Sequence, residues 1–251
     1  MSQQSAYRHI LKATSIFGSV QVFNILISLI RSKFIAVFTG VTGIGIIGLL
    51  TSVINTIWCF TNFGIETSAV KSISTVQENN QKLARETSIL KRIAWMLGIF
   101  GSIIMIIFSP FLSKITFGNY EFTWAFILLS ITLLFKQLTV SSIVVLQGLQ
   151  KIKYLAKANL YGNLIGLLLS IPLYYFLGID AIAPSIILSS IAAFIGAKFY
   201  ENKLKINTVK LSNKEALTEG KKMLTLGFSL SFTGLLTTFS AYLLQIFITN
   251  V

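Results

Sequence analysis

The sequence has very few of the side chains from which most enzyme active sites and metal sites are built. Among its 251 residues there are one cysteine, Cys59, one histidine, His9, and eight acidic residues. A single cysteine excludes an intramolecular disulfide and a structural zinc site, and no group of residues predicts another metal or a cofactor. No histidine or cysteine dyad can form, and the P-loop and dinucleotide-binding glycine patterns are absent. We therefore predict that the protein is not an enzyme.

Charged residues of both signs are also scarce. They make up 12% of the chain, whereas a soluble domain has about 25%. Hydrophobic residues make up 54%, mean hydropathy is +0.77, and apolar runs of about 20 residues recur. This composition predicts an all-α, polytopic transmembrane helical bundle. The net charge of +13 would suggest nucleic acid in a soluble protein, but the cations lie between the apolar runs, so we expect no nucleic-acid partner.

The apolar runs predict seven membrane-spanning segments. They cover about 13–39, 44–66, 93–112, 122–147, 158–177, 182–199 and 223–249. The run VTGIGIIG at 41–48 predicts a glycine-rich turn between the first two segments. The run NNQKLARETSILKRIAWM at 79–96 is typical of a basic amphipathic helix on the membrane surface. The polar stretch 200–222 is predicted to be a basic cytoplasmic linker.

The basic residues are distributed unequally between the two sets of alternate loops. With the N-terminus in the cytoplasm, 17 of the 21 Lys and Arg residues fall in the cytoplasmic loops, and only Lys114 falls in an external loop. Cytoplasmic loops of membrane proteins carry such an excess of Lys and Arg. We therefore predict a multi-pass membrane protein with a cytoplasmic N-terminus.

Polar side chains form stripes on several predicted segments. In segment 1 they are spaced by three, four and three residues, which places them on one face of the predicted helix, with Arg31 at the outer end of this stripe. A cation inside a membrane segment is costly and usually functional, so Arg31 and Lys136 predict an aqueous cavity that binds an anion. The candidate binding residues are Gln21, Asn24, Ser28, Arg31, Asn55, Lys136, Asn159 and Asn163.

Two structural alternatives remain open at this point. The Asn and Ser residues could simply hold neighbouring helices together. Glu66 could pair with one of the two cations, although the loop arrangement places it towards the cytoplasm and Arg31 towards the outside.

Three blocks of the sequence resemble the Wzx-type O-antigen translocases, which are polysaccharide flippases of the MOP (MATE-like) superfamily. They are SLIRSKFIAVFTGVTGIGIIGLLTSV, FGIETSAVKSIS and VLQGLQKIKYLAKANLYGN, and the resemblance extends over roughly 10–250. It implies a six-helix N-terminal transmembrane lobe, 1–199, then the linker, and then helix 7, 223–251, which starts an incomplete second lobe. A similar apolar pattern in LIRSKFIAV (29–37) and LLQIFITNV (243–251) agrees with this division.

The resemblance also implies a function. It predicts that the protein flips an undecaprenyl-diphosphate-linked oligosaccharide across the bacterial inner membrane, in O-antigen or lipopolysaccharide biosynthesis. In related lipid II flippases an arginine of helix 1 lies in the cavity, and Arg31 matches that position. A second helix-1 arginine of that group has no counterpart, because Asn24 and Ile25 stand there.

The length of the chain departs from the pattern of this group. Full members have two complete lobes, whereas this chain stops just after segment 7. The resemblance therefore predicts a truncated product, a fragment, or half of a split or dimeric assembly. The expected partners are the lipid-linked oligosaccharide, membrane lipids, and a second lobe or the polysaccharide polymerase machinery. The alternatives are a MATE-like small-molecule exporter and an inactive truncated membrane remnant.

Overall fold

The computed structural model describes the backbone of residues 3–249 and the side chains of 18, 20–228, 236, 237 and 239–247. Every regular element in this part of the chain is helical, which confirms the predicted all-α bundle. A short 3₁₀ turn, Gly178–Ala181, joins the fifth helix to the sixth. The α-helices are α1 (Gln3–Thr61), α2 (Ile65–Thr75), α3 (Asn80–Phe117), α4 (Thr123–Gly148), α5 (Ile152–Leu177), α6 (Ile182–Asn202) and α7 (Asn213–Thr249).

Four stretches of the described residues are long and apolar enough to cross a membrane, and two of them contain a break. Val20–Thr61 has 42 residues and is interrupted at Gly40, and Ile152–Asn202 has 51 residues and contains the 3₁₀ turn. Asn80–Phe117 and Thr123–Gly148 are uninterrupted. Because about 20 apolar residues suffice for one crossing, these stretches provide six crossings. The predicted seventh segment lies within α7.

The break in α1 is confined to Gly40. Its φ of 68° and ψ of −168° separate a first arm, 3–39, from a second arm, 41–61. Glycine adopts a positive φ at no steric cost, and a side chain at this position would be strained. The predicted turn over 41–48 is wrong, because those residues are helical. In a membrane segment the helix satisfies every backbone group internally, and this requirement outweighs the weak helix propensity of glycine.

A second break lies at Phe63 and Gly64, where φ is 48° and 59°. Helix α2 then continues the second crossing to Thr75, nine residues beyond the predicted end at 66. Gly227 of α7 lies against this break, since a Cβ atom at Gly227 would lie 2.5 Å from the Phe63 carbonyl oxygen and 2.6 Å from that of Gly64. A residue without a side chain therefore allows α7 to approach the exposed backbone of the break.

Helix α3 runs without interruption from Asn80 to Phe117, so the predicted surface helix at 79–96 is wrong. No glycine or proline occurs between Asn80 and Leu97, and nothing ends the helix before it enters the membrane segment. The side chain of Asn79 caps the start by accepting hydrogen bonds from the backbone N–H groups of Gln81 and Lys82, at 3.1 and 3.0 Å. A helix of 38 residues is about 57 Å long, so its charged first turns extend beyond a bilayer core of about 30 Å.

The extended part of the predicted linker 200–222 is limited to 203–212, because α7 begins at Asn213. Ser212 and Glu215 form a capping box. The Ser212 backbone N–H donates to the Glu215 carboxylate at 2.7 Å, and the Glu215 backbone N–H donates to Ser212 Oγ at 3.2 Å. These hydrogen bonds hold the pKa of Glu215 below its ordinary value. The predicted start of segment 7 at 223 is ten residues too late, because it was placed by the apolar run and not by the capping residues Ser212 and Glu215.

Successive crossings alternate in direction, so the connections collect at two ends. The turns 76–79 and 149–151 and the linker 203–212 form what we call the basic end. Gly40, 118–122 and the 3₁₀ turn form the opposite end. Contacts between Gly148 and Ile73 at the first end, and between Gly178 and Phe38 at the second, agree with this arrangement. Among the described residues, the two largest buried apolar clusters lie around Leu50, Phe126 and Ile182 and around Ile73, Leu90 and Val144. A smaller third cluster contains Leu146, Leu155, Ala158 and Tyr200.

Candidate substrate-binding site

Three of the predicted binding residues meet where the first arm of α1 packs against α5. The Asn163 side-chain amide donates to Asn24 Oδ1 at 3.0 Å, and the Arg31 guanidinium donates through Nη2 to the Asn163 carbonyl oxygen at 3.4 Å. Asn24 and Arg31 are seven residues apart, two helical turns, so they reach the same stretch of α5. Gly166, one turn beyond Asn163, provides room, because a Cβ atom there would lie 3.3 Å from Arg31 Nη2.

Arg31 is only partly satisfied in this environment. Its Nε atom is buried and has no hydrogen-bond partner among the described residues, and its hydrogen bond to Asn163, at 3.4 Å, is long. Among the described side chains no carboxylate lies within ion-pair distance of Arg31, and Glu66 is not paired with it. The guanidinium carries a fixed positive charge and five donors, so it favours an anion with two acceptor oxygens, such as a phosphate.

Lys136 lies in a second polar cluster, between α4 and the second arm of α1. Its ammonium donates to Asn55 Oδ1 at 2.7 Å and lies 4.2 Å from the centre of the Trp58 ring. The indole of Trp58 donates to Gln137 Oε1 at 3.0 Å, and the Gln137 amide donates to Asn62 Oδ1 at 2.9 Å. These contacts fix the lysine head group between an amide and an aromatic face.

Sequence reasoning did not include Trp58 and Gln137 among the candidate residues. Trp58 follows Asn55 by three residues and therefore shares its helix face, which was a readable signal. Gln137 directly follows Lys136, yet it is only 2% exposed and bridges Trp58 of the second arm and Asn62, the residue that follows this arm. Its position depends on contacts between helices, so spacing within α4 could not reveal it.

Three further candidate residues make fewer polar contacts. Gln21 and Ser28 are exposed, Asn159 is partly buried, and none of the three makes a side-chain hydrogen bond with a described residue. The contacts of Arg31 come from α5, and those of Lys136 come from the second arm, so no described hydrogen bond joins the two clusters. That both cations face one aqueous cavity therefore remains a prediction.

Comparison with known proteins identifies the family of the chain. The family model for polysaccharide biosynthesis proteins matches residues 10–251. The chain belongs to this family. No curated protein sequence and no solved structure matches the chain. The family and the apolar helices together make it a membrane protein of polysaccharide biosynthesis, which is the broader form of the prediction drawn from the three sequence blocks.

This polysaccharide biosynthesis protein also contains a buried ionic cluster that sequence reasoning missed. Glu201, near the end of α6, is 3% exposed. It pairs with Lys91 of α3 and with Lys198 of α6, the latter at 2.9 Å, and it accepts a hydrogen bond from Ser142 Oγ of α4 at 2.8 Å. Glu201 lies within the stretch 200–222, which the sequence predicts to be a linker. The spacing of Lys198 and Glu201 indicated a helical pair, but nothing in the sequence pointed to Lys91.

Proposed function

We propose that the protein translocates lipid-linked oligosaccharide, with undecaprenyl diphosphate as the lipid carrier, across the bacterial inner membrane. Membership of the polysaccharide biosynthesis family supports the pathway, and helices long and apolar enough to cross a membrane agree with transport across it. The proposal rests on one observation: Arg31 is a half-buried cation that has no acidic partner among the described residues. An unpaired charge inside a membrane is costly, so this position favours the binding of an anionic ligand.

Each polar cluster has a distinct role in this proposal. Arg31 holds the diphosphate through paired donors to its oxygens, while the Asn24 and Asn163 amides contact the sugar hydroxyls nearby. Lys136, held by Asn55 and Trp58, adds a second positive charge for the same anion. Such transporters move substrate by rocking two lobes around a fixed site, so a second lobe would complete the binding surface. We place the N-terminus and the basic end in the cytoplasm, in line with the loop charges.

Substitution of Arg31 tests the proposal in cells of the bacterium that carries the gene. Arg31→Ala removes the charge-assisted hydrogen bonds to the diphosphate, each worth about 1.5–3 kcal/mol, so surface polysaccharide should fall at least about tenfold. Arg31→Lys keeps the charge without the paired donors and should give an intermediate level. Surface polysaccharide is measured by lectin or antibody binding, and protein level by immunoblot.

Lys33→Ala is the matched control, because it removes an equal charge from an exposed position two residues away. It should leave surface polysaccharide at the wild-type level. A normal polysaccharide level in Arg31→Ala cells, at normal protein abundance, would remove Arg31 from the mechanism. Accumulation of chemically altered lipid-linked oligosaccharide in any variant would instead indicate an enzyme.

A further inference from the structure

A second cationic feature lies at the basic end, away from Arg31 and Lys136. A cavity of about 570 Å³ opens between α3, α4 and α6, and the linker segment 208–211 covers it. The linker is attached to α3, because the Val209 backbone N–H donates to Ser88 Oγ at 2.9 Å. Arg92 of α3 also donates through Nε to the side chain of Asn213, the first residue of α7, at 2.5 Å. These two hydrogen bonds hold the linker and the start of α7 against α3 beside the cavity.

The rim of this cavity is strongly positive. Its described lining contains no acidic residue. Four cations line it, namely Lys91, Arg92, Lys198 and Lys210. Glu201 beneath the rim pairs with two of them, so an excess of three positive charges remains. Arg92 and Lys210 are exposed, and Lys91 and Lys198 keep 25% and 36% of their side-chain surface accessible. This arrangement suits a phosphate group, which several ammonium and guanidinium donors can bind at once.

The apolar wall of the cavity lies on its membrane side. On each of the three helices an apolar residue lies three or four residues closer to the membrane centre than the polar lining residue of the same helix. Trp95 follows Arg92 on α3, Leu138 precedes Ser142 on α4, and Phe194 precedes Lys198 on α6. Trp95 remains 46% exposed, as is common for tryptophan at a membrane interface.

We propose that this cavity binds the phosphate headgroup of an anionic phospholipid, with one acyl chain against Trp95, Leu138 and Phe194. The order of cations above and apolar residues below matches the orientation of a phospholipid in the leaflet at the basic end. Free phosphate shares the headgroup chemistry but makes no use of the apolar wall. A lipid bound here links α3, α4 and α6 to the linker at the point where α7 begins.

Native mass spectrometry of the detergent-purified full chain, titrated with phosphatidylglycerol or phosphatidylcholine, tests this site. The double variant Arg92→Gln, Lys210→Gln should weaken phosphatidylglycerol binding about tenfold, because each surface cation contributes to the attraction of anionic lipid. Lys153→Gln, Lys157→Gln is the matched control, since it removes two exposed cations from the same end outside the cavity. Its phosphatidylglycerol affinity should remain that of the wild type.

Two further arms identify the source of the phosphate. Trp95→Ala should weaken phosphatidylglycerol binding, and inorganic phosphate should fail to compete with the lipid. Competition by inorganic phosphate, with no effect of Trp95→Ala, would overturn the lipid assignment. Equal weakening in the double variant and its control, or equal binding of the two lipids, would overturn the site itself. Should the double variant unfold, Lys210→Gln alone, on the exposed linker, replaces it.

Discussion

At the scale of single residues, a glutamate contributes very differently to stability at positions 201 and 219. Glu201 is buried beneath two lysines and a serine, whereas Glu219 of α7 forms an exposed pair with Arg85 of α3. The hydrogen bonds from Arg85 hold the pKa of Glu219 below its ordinary value. An exposed pair of this kind adds little to stability, while loss of one partner of a buried pair leaves an uncompensated charge.

We expect Glu201→Gln to lower the stability of the protein by about 1–3 kcal/mol, because it leaves Lys91 and Lys198, which keep 25% and 36% of their side-chain surface accessible, facing each other without a carboxylate. Thermal unfolding in detergent should show a melting temperature lower by roughly 5 °C. Glu219→Gln removes an acid of the exposed pair and serves as the control, with a melting temperature close to that of the wild type. Equal shifts in the two variants would show that Glu201 acts as an ordinary surface charge.

At the scale of elements, glycines decide how closely the helices approach. Helices α5 and α6 pack closely at Gly162 and Gly196. A Cβ atom at Gly162 would lie 2.9 Å from the Ala193 Cα atom, and one at Gly196 would lie 3.1 Å from the Ala158 carbonyl oxygen. Small residues drive helix association in membranes, since apolar burial gives no advantage over lipid. The same contact positions Asn163 and Gly166 beside Arg31, so the candidate site depends on it.

Gly162→Ala should separate α5 from α6 and destabilise the protein by about 1–3 kcal/mol, because backbone atoms cannot move aside as a flexible side chain does. The loss should appear in thermal unfolding and in proteolysis of the membrane-embedded protein. Gly45→Ala is the matched control. A Cβ atom at Gly45 would meet no atom of another described element within 4 Å, and alanine in a helix interior should be neutral or stabilising there. A Gly45→Ala variant as unstable as Gly162→Ala would contradict the packing explanation.

The sequence predicted the elements well wherever an apolar run determined them. The all-α class and the positions of the segments follow from run length, and the stripe on segment 1 correctly brought Asn24 and Arg31 to one face. The predicted surface helix at 79–96 and the predicted glycine-rich turn at 41–48 were wrong. Both were inferred from local composition, charge in the first case and glycine in the second, whereas backbone hydrogen bonding in lipid keeps a helix continuous. Gln137 and Glu201 were missed because they contact residues of other helices, which periodicity within one segment does not reveal. Trp58 was missed although its spacing from Asn55 places both residues on one helix face.

At the scale of the whole molecule, the two ends differ strongly in charge. The turns and linker of the basic end and the helix termini beside them carry most of the Lys residues, while Lys114 is close to the turn 118–122 at the opposite end. This asymmetry is the physical basis for placing the basic end in the cytoplasm. The same end holds the Glu201 cluster and the cavity beneath the linker, so the proposed lipid site would face the cytoplasmic leaflet.

Cysteine labelling can test this orientation, since Cys59 is the only native cysteine. In a Cys59→Ser background, Tyr120→Cys lies at the opposite end and Asn207→Cys lies on the linker, and both positions are exposed. A membrane-impermeant maleimide applied to intact spheroplasts should label Tyr120→Cys alone, and lysis should expose Asn207→Cys. Labelling of Asn207→Cys before lysis would reverse the proposed topology.

The partner of Arg31 also has a consequence for biogenesis. The carbonyl that Arg31 contacts belongs to Asn163, 132 residues later in the chain. At a synthesis rate of about 5–20 residues per second, the ribosome reaches Asn163 roughly ten seconds after Arg31. During that interval the first arm carries a cation into the membrane without its neighbour, so we expect it to stay beside the insertion machinery. Crosslinking of stalled nascent chains should show that contact before α5 is complete and its release afterwards, and early release would contradict this expectation.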